Sequence, residues 1–175
     1  SKKVLFVSGI FLIAFILRFA SLGTIPLSED EAILALQAKS LASGIPNYGI
    51  AQPLYVLITA FIFKFFGSTN FTARLFPALM GIFLVLIPFF FSEKISQKKK
   101  YLFAFCLAID PALVAWSRQA DSLIPLICLI ALVIIFFRRG SEKIAVALAA
   151  LSFLGGERFF PFLAAAGIIF VLIYW

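Results

Sequence analysis

Carboxylates are the side chains in this sequence best suited to acid/base chemistry, because the 175 residues include no histidine. Glu29, Asp30 and Glu31 stand together after the first apolar stretch, and Asp121 follows a later one. A carboxylate placed against a hydroxyl group can remove its proton. The same acids also have a simpler use, because acids in a first turn and an aspartate at an N-cap stabilise a helix. The sequence therefore leaves two interpretations open, a catalytic site and a set of helix caps.

Arginines lie close to these acids in the predicted arrangement. Arg74 and Arg118 each lie beside an apolar stretch, and Arg158 follows Glu157 between two others. Guanidinium groups bind phosphate oxygens at two points, so acids and arginines on one membrane face would suit an anionic substrate. Arg118 has a simpler interpretation too, since it could pair with Asp121 or extend to lipid head groups.

The elements that position these side chains are membrane helices. The chain is 63% hydrophobic and 13% charged, with 23 phenylalanines and a mean hydropathy of +1.12, whereas soluble domains are about 25% charged. This composition excludes a water-soluble fold and makes membrane lipids the expected surroundings. The net charge of +7 does not by itself imply an acidic partner, because basic residues of a membrane protein concentrate in its cytoplasmic loops. We expect no nucleic-acid partner. Cys106 and Cys128 lie in apolar stretches and are predicted to be small buried hydrophobes.

The apolar stretches predict one all-α module, a polytopic bundle of transmembrane helices. Period-2 strand patterning is absent, and a bilayer crossing needs about 20 helical residues. The predicted transmembrane segments are 4–22, 74–92, 101–117, 122–137, 144–154 and 159–175. The segment 144–154 is short and is predicted to be a partial crossing broken at Gly155-Gly156.

Loop charge predicts how the bundle is oriented, because lysines and arginines concentrate in cytoplasmic loops. If 53–66 does not cross, then Lys2-Lys3 and the loops 93–100 and 138–143 lie inside, with nine of the 15 basic residues. If it does cross, seven of those nine move outside. We therefore predict a cytoplasmic N-terminus and a helix at 53–66 that lies along the outer interface.

A second interfacial helix is predicted at 29–42 in the same outer loop. Ser28 followed by Glu31 fits a capping box, and Ser43-Gly44 supplies a helix end. This topology places Asp30 and Asp121 on the same side of the membrane, together with Arg74 and Arg118.

Short motifs in this order resemble the superfamily of protein O-mannosyltransferases and aminoarabinose transferases. The first outer loop resembles that family's at Leu17-Arg18, Leu22-Gly23, Pro26, Asp30-Glu31-Ala32, Ala35, Ala38, Leu41 and Gly44. Later resemblances are Gln52-Pro53-Leu54-Tyr55, Phe66-Gly67, Phe71, Arg74, Leu75, Pro77, Ala78, Leu79, Gly81, Ser117-Arg118, Asp121 and Gly155-Gly156-Glu157-Arg158. Each motif is weak by itself, and the signal is their joint order along nearly the whole chain.

The resemblance implies a GT-C fold enzyme that moves a sugar from a polyprenyl-phosphate carrier to a protein or glycolipid acceptor on the non-cytoplasmic side. Asp30 would be the catalytic base, with Glu31 beside it, and Asp121 would orient the acceptor or a metal. Arg74 and Arg118 would hold the carrier phosphate. Gln52, Tyr55 and Arg158 are the further substrate-binding candidates. Whether a divalent metal is used stays open, and Asp30 and Asp121 would be its ligands.

The length of the chain keeps other functions open. Members of that superfamily usually continue through more helices, so we expect an N-terminal module of a longer chain in the plasma membrane of a prokaryote. A noncatalytic membrane subunit or scaffold in a complex is the main alternative. A transporter or channel is less favoured, because its ionisable residues should lie near the bilayer midplane.

Overall fold

The computed structural model describes residues 2–45, 49–90 and 96–161, and the secondary structure in these ranges is helical throughout. The helices are α1 (Lys2–Phe19), α2 (Glu29–Ala42), α3 (Pro53–Phe66), α4 (Asn70–Phe90), α5 (Gln97–Ile109), α6 (Pro111–Ser117), α7 (Leu123–Arg138) and α8 (Glu142–Ser152). A short 3₁₀ helix, Phe153–Arg158, follows α8. The described ranges contain no β-strand, which confirms the predicted all-α class.

Two of the described helical segments are long and apolar enough to cross a membrane, namely Asn70–Phe90 and Glu142–Pro161. The pair α5 and α6 makes a third if the two helices form one bent span. The helices Val7–Phe19, Pro53–Phe66 and Leu123–Arg138 are apolar but shorter. These segments support a membrane protein, while the number and direction of crossings stay predictions. Of the predicted segment 159–175, only residues 159–161 lie within the described ranges.

The two helices predicted for the first outer loop are confirmed as helices, with the predicted bounds. At the start of α2, the Ser28 hydroxyl accepts from the Glu31 N–H, and the Glu31 carboxylate accepts from the Ser28 N–H. At its end Gly44 has φ +76°, and the N–H of Ile45 donates to the Ser40 carbonyl. This is the glycine-dependent ending that the sequence predicted. The location of both helices at a membrane interface stays a prediction.

Within the predicted segment 101–117 the chain forms two helices, α5 and α6, with an angle of 58° between them, and whether the pair makes one crossing stays a prediction. Proline has no N–H, and its ring clashes with the preceding turn, so Pro111 ends α5 and begins α6. Asp110 fixes the break by accepting a hydrogen bond from the Leu113 N–H at 2.8 Å. The bend turns α6 and the loop after it away from the axis of α5.

Helix α4 lies at the centre of the fold and contacts α1, α3, α5, α6 and α7. Small buried side chains such as Ala14, Ala104 and Ala108 let α1 and α5 pack closely beside it. On another side, α3 packs against both α2 and α4. Hydrogen bonds join the N-terminal end of α2 to that of α4, and the residue before α3 to the residue before α7.

A proline inside α4 is compensated by a side chain from α3. Pro77 cannot donate to the Ala73 carbonyl four residues earlier, and the Tyr55 hydroxyl donates to that oxygen at 2.8 Å instead. Tyr55 is fully buried. Its hydroxyl therefore has a structural partner, and its contact with a substrate stays a prediction.

Candidate functional site

Four chain segments enclose a cavity of about 350 Å³ that contains most of the predicted acids, which we call the carboxylate cavity. The segments are the start of α2, the residues before α3, the loop after α6 and the turn after α8. The lining residues are Ser28, Asp30, Glu31, Ile33, Leu34, Ala51, Gln52, Gln119, Ala120, Asp121, Glu157 and Arg158. The predicted convergence of Asp30 and Asp121 on one cavity is confirmed.

Asp30 is the exposed and unoccupied acid of this cavity. It is the second residue of α2, and within the described part of the chain its carboxylate makes no hydrogen bond or ion pair. The capping of α2 is carried out by Ser28 and Glu31 instead. Asp30 is therefore available to a molecule in the cavity, and as an acid in the first turn of α2 it also fits the helix-stabilising interpretation.

Glu31, in contrast, is fully engaged by other parts of the protein. Its Oε1 accepts from the Ala120 N–H at 2.7 Å and from Arg74 Nε at 2.9 Å. Its Oε2 accepts from the Ser28 N–H at 2.9 Å and from Arg74 Nη2 at 2.7 Å. Burial alone would raise the pKa of Glu31, but the hydrogen bonds from Arg74, Ser28 and Ala120 outweigh it and lower the pKa. A carboxylate held in this way is a poor proton acceptor, so the predicted catalytic role of Glu31 is not supported by its geometry.

Arg74 is equally committed. Besides its two bonds to Glu31, its Nη1 donates to the Leu22 and Ile25 carbonyls at 3.2 and 2.8 Å, and its Nη2 donates to the Pro26 carbonyl at 3.0 Å. A guanidinium group has five N–H donors, and Arg74 makes five hydrogen bonds with protein acceptors. No donor is left for a phosphate, so this arginine joins α4 to α2 and to the chain before it.

Asp121 is buried, with 7% of its surface exposed. Its Oδ1 accepts from the Leu123 N–H at 2.9 Å, while its Oδ2 lies 3.7 Å from Arg158 Nη2, beyond hydrogen-bond distance. Burial raises the pKa of Asp121 and the nearby Glu31 adds to this, against the lowering effects of the Leu123 N–H and of Arg158. Asp121 thus combines a fixed position with a proton affinity above that of an ordinary aspartate.

Two glycines bring Glu157 and Arg158 to the cavity. Gly156 has φ +65°, and a Cβ there would collide with the Ala51 carbonyl oxygen. A Cβ on Gly155 would lie 3.1 Å from Leu126. This close approach explains the paired glycines, because only a residue without a side chain lets the turn after α8 contact the start of α3.

Gln52 lines the cavity but also holds α7 in place. Its Oε1 accepts from the Ser122 N–H at 2.7 Å, and the Ser122 hydroxyl donates to the Gly155 carbonyl at 3.1 Å. Gln52 is almost completely buried. Three segments of the cavity wall are joined through this short chain of hydrogen bonds, so Gln52 has a positioning role whether or not it contacts a substrate.

A second cavity of about 330 Å³, which we call the arginine cavity, adjoins the first. Arg118 ends α6, and its Nη1 donates to the Leu17 carbonyl at 2.9 Å. Its other N–H groups make no hydrogen bond within the described ranges. The lining residues are Leu22, Ile25, Pro26, Leu27, Ser28, Glu31, Arg74, Ala115, Arg118 and Gln119. Ser28, Glu31 and Gln119 therefore form a wall shared by the two cavities.

The prediction that Arg118 or Arg74 lines the same cavity as the two aspartates is wrong. Both arginines lie in the adjoining cavity, and Arg158 is the arginine beside Asp121. The physical reason is the turn after α6, where Gln119 comes between Arg118 and Asp121 and directs them to opposite sides of the shared wall. Sequence reasoning also missed Gln119 and the Ala120 N–H, because neither belongs to a charged motif.

A metal ion would find an open donor set here. Among the described residues, no group of three His, Cys, Asp or Glu side chains could hold a metal ion. Asp30 and Asp121 remain as two carboxylates on one cavity. This set suits Mg²⁺, which usually binds to one or two carboxylates together with waters and substrate phosphates, better than a metal enclosed by protein ligands.

The chain matches no protein-family model, no curated protein and no solved structure. The geometry of the two cavities is therefore what can indicate its function.

Proposed function

We propose that this protein is the membrane-embedded module of a glycosyltransferase that transfers a sugar from a polyprenyl-phosphate carrier to a hydroxyl acceptor. The observation that carries the proposal is the arrangement of Asp30. It is an exposed carboxylate without a partner among the described residues, on a cavity that also contains the buried Asp121. The adjoining cavity offers the unused donors of Arg118.

In the proposed reaction, Asp30 accepts the proton of the acceptor hydroxyl while the hydroxyl oxygen forms a bond with the anomeric carbon of the sugar. The bond between that carbon and the carrier phosphate oxygen breaks at the same time. The electron pair leaves on the phosphate, and Arg118 stabilises the charge that develops there. Attack from the side opposite the leaving group inverts the anomeric centre, so no second carboxylate has to act as a nucleophile.

The two cavities suit this division of work. The carrier phosphate would lie in the arginine cavity, and the acceptor would enter the carboxylate cavity, with the reacting atoms meeting at the wall of Ser28, Glu31 and Gln119. Asp121 has a raised pKa, so its protonated form could donate a hydrogen bond to a sugar or acceptor oxygen. Arg158 is exposed and would contact the acceptor from the rim.

One specific observation favours a noncatalytic scaffold as the second candidate function. Three of the predicted site residues, Glu31, Arg74 and Tyr55, use their polar groups to join helices. A scaffold derived from the same family would keep these bonds and would have no need of a free Asp30.

The test uses three variants of the full-length protein in membranes. Sugar transfer is measured with a panel of polyprenyl-phosphate sugars, and carrier binding is measured separately with undecaprenyl phosphate. Asp30→Asn should abolish transfer and leave binding near the wild-type level, because the amide keeps the shape but cannot accept the proton. Arg118→Ala should weaken binding. Glu29→Gln is the matched control, since Glu29 is an exposed neighbour that does not line either cavity.

Full transfer by Asp30→Asn would reject the proposed base. Wild-type protein that binds no undecaprenyl phosphate and transfers no sugar from any donor would favour the scaffold.

A further inference from the structure

Arg18 is a completely buried arginine near the end of α1 that lines neither cavity. Its Nη1 donates to the Ala108 carbonyl and its Nη2 to the Leu107 carbonyl, each at 3.0 Å. An arginine inside a membrane segment is expensive, so a buried one is expected to have a defined task. These two acceptors belong to the last turn of α5, and Nη1 also donates to the Ala14 carbonyl on α1 itself at 3.4 Å.

Those two carbonyls are available because α5 stops at the bend. The Leu107 carbonyl would normally accept from the N–H of residue 111, which is Pro111 and has none. The Ala108 carbonyl also belongs to the last turn of α5, whose carbonyls lack partners within the helix. Arg18 supplies donors to both oxygens, and a straight helix would not need them.

The far end of α6 is fixed to the same part of α1. Arg118 follows α6 and donates to the carbonyl of Leu17, the residue before Arg18. Between these two attachments α6 packs on α4, where a Cβ on Gly81 would lie 2.6 Å from Ser117 Cβ and 2.8 Å from Arg18 Nε. The absence of a side chain at Gly81 therefore lets α1, α4 and α6 pack closely at this point.

We propose that Arg18 is a positioning residue for the reaction proposed above: it holds the bend between α5 and α6 and so sets where Arg118 and Asp121 enter the two cavities. Arg118, Gln119 and Asp121 follow α6 directly, so the direction of this short helix determines their placement. The inference rests on the proposed function for its catalytic meaning, while the bend itself can be measured without a substrate.

The test separates positioning from stability by means of Pro111. Arg18→Met removes the donors and keeps most of the apolar side chain, and Pro111→Ala restores an N–H for the Leu107 carbonyl. Spin labels at the exposed positions 102 on α5 and 116 on α6 report the bend. They are introduced in a Cys106→Ser background, because Cys106 is exposed and Cys128 is buried.

In Arg18→Met we expect a lower unfolding temperature, a broader and longer label distance, and loss of undecaprenyl-phosphate binding at concentrations that saturate the wild type. In the double variant with Pro111→Ala, the unfolding temperature should recover while the long distance and the loss of binding remain. Arg138→Met, which changes an exposed arginine at the end of α7, is the control and should leave all three measurements unchanged.

Recovery of binding together with stability in the double variant would overturn the proposal, because Arg18 would then act through stability alone. An unchanged label distance in Arg18→Met would overturn it as well. If Arg18→Met does not fold, the double variant supplies the distance and binding measurements. Wild-type protein that binds no undecaprenyl phosphate would reject the proposed function, and the label distances would still decide whether Arg18 holds the bend.

Discussion

Arg74 and Glu31 form a two-point ion pair between the first turns of α4 and α2, with Nε–Oε1 and Nη2–Oε2 distances of 2.9 and 2.7 Å. Both side chains are more than nine-tenths buried. The pair also makes backbone hydrogen bonds: Arg74 donates to the Leu22 and Ile25 carbonyls, and Glu31 accepts from the Ala120 N–H. It is therefore the point at which the chain before α2, the helix α4 and the loop after α6 are held together.

Removing one partner of this pair should destabilise the protein severely. Glu31→Gln leaves Arg74 buried without its counter-charge, and the loss expected for breaking a buried pair is about 3–5 kcal/mol. Asp30→Asn changes the adjacent acid, which is exposed and has no partner, and should alter the unfolding free energy by less than about 0.5 kcal/mol. Thermal and denaturant unfolding in detergent measure both variants. Equal stability of the two would show that the pair does not hold the fold.

Asp121 should make stability depend on pH with a sign opposite to that of Glu31. Burial raises the pKa of Asp121, so its stabilising contribution is present below the ordinary aspartate pKa and is lost as pH rises through the raised value. Glu31 has a lowered pKa, and its contribution is present above the ordinary glutamate pKa and is lost as pH falls through the lowered value.

Asp121→Asn should therefore remove the loss of stability that occurs as pH rises through the pKa of Asp121. The loss of stability as pH falls through the pKa of Glu31 should be unchanged. Arg158, at 3.7 Å, and Glu31 are the charged groups that act on Asp121. Unfolding temperatures are measured from about pH 3 to 8, a range that includes the ordinary pKa values of both carboxyl groups. Parallel curves for the variant and the wild type across that range would contradict the raised pKa.

Tyr55→Phe should destabilise α4 through a single carbonyl. The variant leaves the Ala73 oxygen buried without a donor, because Pro77 has no N–H, and such a group costs about 1–3 kcal/mol. Pro77→Ala restores the helix donor, so the double variant should regain much of the loss. A double-mutant cycle of unfolding free energies measures the coupling. Additive losses would show that the hydroxyl and the proline are unrelated.

Gly156→Ala should disturb the carboxylate cavity more than its backbone angle alone explains. Gly156 and Gly140 both have positive φ, at +65° and +76°. A Cβ on Gly156 meets the Ala51 carbonyl, whereas a Cβ on Gly140 has no atom within 4 Å. Gly140→Ala therefore tests a positive φ without a collision, and the ψ of −139° at Gly156 adds to the cost there. We expect a clearly larger drop in unfolding temperature for Gly156→Ala, and equal drops would show that the close approach is unimportant.

Cysteine labelling tests the predicted topology. Single cysteines at Gln97 and Ser141 should resist an impermeant thiol reagent in intact cells, because loop charge places 93–100 and 138–143 in the cytoplasm. A cysteine at the exposed Glu29 should react. Labelling at Gln97 or Ser141 would mean that α3 crosses the bilayer.

Features encoded by neighbouring residues could be predicted from the sequence. The Ser28–Glu31 capping box and the end of α2 at Gly44 depend on a few consecutive residues, and both are present as predicted. The bend at Asp110-Pro111 has an equally local cause. Pro111 marks this break in the sequence, whereas the angle of 58° depends on how α5 and α6 pack against their neighbours.

The choice of distant partners could not be predicted in the same way. Glu31 looked like a site residue because it stands beside Asp30, but its partner Arg74 comes 43 residues later. Which of two adjacent acids is left with a free carboxylate depends on the rotation of α2 against α3, and that rotation is set by packing across the whole bundle. Tyr55 offers a usable signal, since a proline within a membrane helix requires a donor from elsewhere.

The positions of these donors along the chain bear on how the protein enters the membrane. Tyr55 on α3 serves the Ala73 carbonyl on α4, and Arg18 on α1 serves the Leu107 and Ala108 carbonyls on α5. In each case the donor is synthesised before the acceptor. A helix broken by proline leaves a carbonyl that lipid cannot satisfy. During translation of this chain, the donor residue has already been made when the helix that carries the unpaired carbonyl emerges from the ribosome. The carbonyls of α4 and α5 therefore do not depend on a later segment for their hydrogen bonds.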